Sequence, residues 1–293
     1  MASFPFSASA ALIEKEEEEG VGQECQELLR SLPQEKGWRT AHIYQYQGFW
    51  VAGKLIESII EIQQNFRVRD TDVLLVTTPK SGTVWLKALA FAIMNRNRYS
   101  FSENPLLNTN PHELVPFLEH GVFISNKLPY LSTLPSPRLF ASHIPYPSLS
   151  ESIKTNNCRI VYQCRNPKDM FVSLFLFSGK LRPENLGPLS LDQAFELFCK
   201  GAYEFGPYWD HVLGFWKESF ERPQKSLEVN KTGKLMPRGD NAVFFRKGEV
   251  GDWMNHLSPE MAEKIDKITE VKLLGSGLSF QVASFENETA SAS

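Results

Sequence analysis

Four consecutive residues, Lys80-Ser81-Gly82-Thr83, bring together a cation, two hydroxyls and a glycine. That set suits an anion: the ammonium supplies charge, the hydroxyls donate hydrogen bonds, and the glycine lets backbone N–H groups come close. A second basic group, Arg165, ends an apolar stretch and precedes Asn166-Pro167. Its guanidinium fork matches a phosphate. A third cluster, Arg246-Lys247-Gly248 with Gly251 close behind, joins two cations to flexible backbone. Among the six histidines, His143 stands apart because it directly follows a short strand-like run, Arg138 to Ser142. A neutral imidazole there can take a proton from a hydroxyl. The Gly-x-x-x-x-Gly-Lys-Ser/Thr spacing of the common nucleotide loop does not occur, and Arg165, not an acidic magnesium ligand, closes the strand before it. Both facts speak against a kinase or ATPase.

These groups need elements to hold them. Val73 to Val76 is an apolar, β-branched block, as a strand covered on both faces would be. Thr77 to Gly82 is a turn around Pro79, and Thr83 to Met94 is apolar except for Lys87, which predicts a helix buried all round. Strand, tight loop and helix aim N–H groups and the helix's positive end at one point. Arg138 to Ser142 and Arg159 to Cys164 predict two more strands, and Met170 to Phe177 an apolar helix. Glu24 to Leu32 is amphipathic, and Val51 to Phe66 has helical spacing. Ile43 to Trp50 is aromatic-dense and serves either the core or one wall of an apolar acceptor pocket. Asn97 to Pro116 predicts a long surface loop, and Leu191 to Phe220 a helical region broken at Gly206-Pro207. The economical architecture is α/β: one mostly parallel sheet with helices on both faces and ligands at the strands' carboxyl ends. A disordered arm, residues 1–23, precedes a single domain over 24–293.

Composition agrees. Apolar residues make up 42% and charged residues 22%, with net charge −3, which argues against a nucleic-acid binder. Cys25, Cys158, Cys164 and Cys199 are scattered, so neither a disulfide framework nor a zinc site is expected, and a reducing compartment fits. No apolar run is long enough to cross a membrane. The first thirteen residues lack Lys and Arg and lead into the acidic run Glu14 to Glu19, unlike a secretory or transit signal.

Lys80-Ser81-Gly82-Thr83-Val84-Trp85, Arg165-Asn166-Pro167-Lys168-Asp169 with Ser173, and Arg246-Lys247-Gly248-Glu249-Val250-Gly251-Asp252-Trp253 occur in order. From about Trp38 to Phe280 the chain resembles the plant-type cytosolic sulfotransferases. The resemblance implies a P-loop-like sulfotransferase fold and the co-substrate 3′-phosphoadenosine 5′-phosphosulfate, without a metal. It implies that Lys80 to Trp85 hold the 5′-phosphosulfate and adenine. Arg165 and Ser173 would hold the 3′-phosphate, and Arg246, Lys247 and Gly248 would close over it. His143 becomes the catalytic base, Lys80 neutralises the leaving phosphate oxygen, and Ser173 orients the donor. Leu114 to Glu119 resembles a segment near the acceptor site. The acceptor is a hydroxyl on a small, largely apolar molecule: flavonoid, steroid, hydroxyjasmonate or desulfo-glucosinolate all fit. The implied setting is the cytoplasm, with neither nucleic acid nor membrane as partner.

The chain departs from the family pattern at four places. Val84 stands where a second hydroxyl is usual, Ala141 where some members have Lys, and Met254 to Glu263 does not match the animal dimerisation pattern, so a monomer or weak dimer is expected. The largest departure lies between Gln224 and Leu227. There, relatives carry a strand ending in Tyr-Glu-Asp, further helices and an adenine-stacking Phe. Its loss leaves the sheet one strand short. A catalytically impaired, ligand-binding form is therefore the alternative to an active sulfotransferase.

Overall fold

The computed structural model describes residues 21–120, 133–222 and 250–280. Helix α1 (Gln23–Ser31) leads to a small antiparallel sheet, β1 (Gln34–Lys36), β2 (His42–Tyr46) and β3 (Phe49–Val51). The β2–β3 turn is made by Gln47 and Gly48, both at positive φ. Helix α2 (Gly53–Asn65) then delivers the chain to β4 (Val73–Thr77). Val21 is buried and Gly22 N–H bonds Glu57 Oε1 at 3.0 Å, so these two residues of the expected arm 1–23 pack against α2; residues 1–20 lie outside the described residues.

The central sheet is parallel, with β4 between β5 (Leu139–Ser142) and β6 (Arg159–Gln163). Registers pair Leu74 with Phe140 and Ile160, and Leu75 with Ala141 and Val161. Side chains alternate along a strand, so these two rows face opposite ways. The Leu74 row packs with Ile56, Ile59 and Ile62 of α2. The Leu75 row packs with Leu86 of α3 (Thr83–Met94). Both faces are thus covered, as a parallel sheet requires. The small antiparallel sheet was not foreseen.

Helix α3 corrects one expectation. Only Thr83, Val84, Leu86 and Lys87 of it are buried, while Ile93 is 49% exposed. An apolar composition alone did not put the whole helix inside. The lone charge, Lys87, is instead fully buried. The stretch expected as a loop from Asn97 carries two 3₁₀ turns and a short helix, α4 (Pro111–Leu114). After β5 comes α5 (Glu151–Thr155); after β6 come α6 (Pro167–Leu181), α7 (Leu191–Cys199), α8 (Tyr208–Glu221) and α9 (Pro259–Leu273). The break between α7 and α8 is wider than Gly206-Pro207. It runs from Lys200 through Pro207, with Phe205 at positive φ. Helices α6 to α9 share a second core around Phe171, Phe198, Trp209 and Trp253.

At the amino end of the sheet, Asp72 ties all three strands together. Its carboxylate accepts from Arg138 Nε at 3.0 Å and from Arg69 N–H at 2.8 Å, and its carbonyl accepts from Arg159 N–H at 3.0 Å. The Asp72–Arg138 side chains are only 1% and 2% exposed. This fixes the strand register from one end, and the opposite, carboxyl end carries the candidate site.

Candidate active site

The loop between β4 and α3 leaves the carboxyl end of the middle strand. Lys80 sits at φ 63° and Gly82 at φ 93°. A Cβ at Gly82 would meet Gln163 Nε2 at 2.6 Å and force a left-handed conformation that side chains resist, so glycine is required here. Gln163, at the end of β6, donates to Ser81 O at 2.5 Å and binds the two loops together. Thr77 and Thr83 hydroxyls lie 2.6 Å apart, and Thr78 and Ser81 hydroxyls 2.5 Å. No side chain caps the first turn of α3. Its leading N–H groups therefore face the loop as an anion cradle, which fits a phosphosulfate. Lys80 Nζ lies 4.0 Å from the centre of the Phe177 ring on α6. Val84 is buried and Trp85 half-buried beside it.

The second group forms at the end of β6. Asn166 caps α6, its Oδ1 accepting from Lys168 N–H at 3.0 Å, with Pro167 at the first helical position. Arg165 is thereby held at the helix's positive end, its side chain 24% exposed and 3.7 Å from Asp169 Oδ2. Ser173 is buried almost two turns into the same helix. Asp169 also accepts Gly251 N–H at 2.9 Å and Trp253 N–H at 3.3 Å, so the end of the third motif docks on this turn. Arg246, Lys247 and Gly248, and the Gln224–Leu227 junction, lie outside the described residues.

His143 follows β5 directly and is half-buried. Its Nδ1 is 2.7 Å from Thr77 O. A carbonyl only accepts, so Nδ1 carries the proton and Nε2 keeps a lone pair. Burial, the largest effect, holds the imidazole well below its ordinary pKa, with His120 and Lys87 adding to the depression. It is neutral at pH 7 and competent as a base. The Phe117 and Phe205 rings stand 4.8 and 5.7 Å from the imidazole, giving it apolar aromatic walls.

Beyond the resemblance of Leu114 to Glu119 to an acceptor-side segment, no local pattern marks the groups behind His143. Glu119, fully buried, accepts His143 N–H at 2.6 Å and the Ser142 hydroxyl at 2.9 Å. Burial pushes its carboxyl up to about 7. Lys87 donates to His112 Nδ1 at 2.9 Å and caps the Phe117 ring at 3.3 Å, and burial lowers its ammonium to about 7.

Burial also lowers His112, His120 and His211 to about 4 each. The unfolded chain takes up these protons near pH 6.5, before the folded chain does. Their contribution is present above pH 6.5 and lost as pH falls toward 4. Glu119 runs the other way, its stabilisation being lost as pH rises from about 4.5 to about 7. These three histidines and His143, which burial depresses in the same direction, outweigh one carboxyl, so the melting temperature should fall by several degrees between pH 6.5 and 5. A constant melting temperature across that window would contradict buried neutral histidines.

The sulfotransferase domain family matches residues 70–229 and 218–277. Arabidopsis thaliana cytosolic sulfotransferase 15 is 40% identical over 323 residues, covering 92% of this chain and 90% of that protein. The crystal structure of an Arabidopsis thaliana putative steroid sulphotransferase, 42% identical, superposes at TM-score 0.73 over 90% of this chain and 97% of its own. A mouse sulfotransferase solved with PAP, 24% identical, shares the fold at TM-score 0.61 over 80% of this chain and 96% of its own. The chain belongs to the plant-type cytosolic sulfotransferase family, whose members are transferases dependent on 3′-phosphoadenosine 5′-phosphosulfate.

Proposed function

We propose that this protein moves the sulfuryl group of 3′-phosphoadenosine 5′-phosphosulfate onto a hydroxyl of a small, largely apolar acceptor in the cytosol, with His143 as the base. The observation that carries this reading is the His143 Nδ1–Thr77 O bond. It leaves Nε2 free as a proton acceptor next to the Lys80 loop. The acceptor oxygen attacks sulfur, its proton passes to Nε2, and the bond from sulfur to the phosphate oxygen breaks. The leaving phosphate oxygen gains negative charge, which Lys80 and the N-terminus of α3 offset. Ser81, Gly82, Thr83 and Val84 frame the sulfate end, and Trp85 packs on the base. Arg165 and Ser173, with Arg246, Lys247 and Gly248, bind the 3′-phosphate. The aromatic walls at Phe117 and Phe205 favour a flat apolar acceptor.

Titration of 3′-phosphoadenosine 5′-phosphate by calorimetry tests the donor site. Lys80→Ala and Arg165→Ala should each weaken binding by at least about tenfold, since a charge-assisted hydrogen bond contributes about 1.5–3 kcal/mol. Added salt should weaken binding to the parent protein. Equal dissociation constants for parent and both variants would move the nucleotide to another pocket.

A reduced activity of this form is favoured by a separate observation. The alignment to the first relative spans 323 residues, more than the 293 of the whole chain, so residues of that relative lack counterparts here. The two family matches also overlap instead of forming one continuous run. Loss of one stacking aromatic removes about 1–3 kcal/mol of base affinity. Inserting a relative's segment between Lys225 and Ser226 should raise nucleotide affinity, transfer rate and melting temperature together. No rise in any of the three would clear the junction of blame.

A further inference from the structure

The main chain of His143 is held on both sides, and one of the two clasps comes from a histidine on another element. On the amino side Glu119 accepts the N–H. On the carbonyl side His211 of α8 reaches His143 O through Nε2 at 2.9 Å. That carbonyl can only accept, so His211 carries its proton on Nε2. Its Nδ1 must then accept, and Tyr162 of β6 supplies the donor, its hydroxyl lying 3.0 Å away. His211 is fully buried. The Tyr162 ring is stacked against Phe215 of the same helix at 4.5 Å between centroids and 12° between planes.

We propose that Tyr162 and His211 form a positioning dyad for the catalytic base: Tyr162 fixes the tautomer of His211, and His211 fixes the backbone of His143 so that its ring keeps the Nδ1–Thr77 O bond. This deepens the reading of His143 as base and rests on it. The Tyr162 hydroxyl is the control element. Without it, His211 is free to place its proton on Nδ1, turning a bare Nε2 lone pair toward the His143 carbonyl. Two acceptors then face each other, and the peptide unit after His143 moves away. Its imidazole follows, because Nδ1 reaches Thr77 O only from the present backbone position. Neither dyad residue is needed to touch donor or acceptor.

Three variants decide the matter. His211→Leu removes the donor to His143. His211→Gln places an amide N–H near the lost Nε2 position. Tyr162→Phe keeps the ring stack and deletes the hydroxyl. Loss of positioning at a reacting group costs about ten- to a hundredfold in rate. His211→Leu should show that loss in kcat with KM and nucleotide affinity held, His211→Gln should recover most of it, and Tyr162→Phe should fall between. A uniform rise in KM, or no advantage of Gln over Leu, would make the dyad merely structural and overturn the proposal. A second readout is independent of turnover: nitrogen-15 spectra of the His143 imidazole. The parent should show a single Nδ1–H tautomer, and Tyr162→Phe and His211→Leu a mixture. If the parent transfers nothing to any acceptor, the proposed function fails, yet these spectra still decide the dyad. An unchanged single tautomer in both variants would refute it.

Discussion

Replacing His143 by alanine is expected to cut sulfuryl transfer by about two to four orders of magnitude, the usual contribution of a positioned general base. Nucleotide affinity should change little. In the proposed reading the ring, walled by Phe117 and Phe205, serves the acceptor, while the Lys80 loop and Arg165 serve the anion. Steady-state rates beside calorimetric titration separate the two effects. The pH profile adds a signature. Because burial depresses the imidazole, the parent rate should stay flat as pH falls from 7.5 to 6.5, where an ordinary histidine would already be taking up its proton. A His143→Ala rate close to that of the parent would remove His143 from the chemistry.

The largest expected effect on stability lies at the far end of the sheet. Asp72→Ala strands Arg138 in a site where its side chain is 2% exposed. Breaking a buried pair by removing one partner costs about 3–5 kcal/mol. Arg138 would retain its bond to Arg67 O at 3.1 Å, a neutral carbonyl in place of the carboxylate. Urea unfolding followed by circular dichroism measures the loss. The double variant Asp72→Leu with Arg138→Met should recover most of it, because an apolar pair of similar volume removes the unpaired charge. A single variant as stable as the parent, or a double variant worse than the single, would contradict the assignment.

The parallel sheet was legible because its strands are short apolar blocks bounded by turns, and Asn166-Pro167 announces the start of α6. The first two motifs were legible for the same reason, each falling at the carboxyl end of a strand, and the third by its glycines and adjacent cations. The small N-terminal sheet was not, since Gln34-Glu35-Lys36 has no strand composition and owes its shape to pairing with Ile43 and its neighbours. Lys87 shows the same limit. Its apolar neighbours point to a buried helix but not to its partner, because His112 is 25 residues away. Glu119 and His211 reach His143 across 24 and 68 residues. Periodicity reports a residue's own element, whereas these contacts exist only once β5, β6 and α8 are stacked.

Asp169 grips the backbone at Gly251 and Trp253, while α8 is packed into the core as far as Phe215 and Glu218. The chain that joins α8 to Gly251 thus starts and finishes at anchored points. The cost of closing such a span rises only with the logarithm of its length, by roughly 0.6 kcal/mol per doubling. Loop closure by itself therefore sets little limit on the length of this connection, and any penalty for shortening it comes from the contacts that are lost.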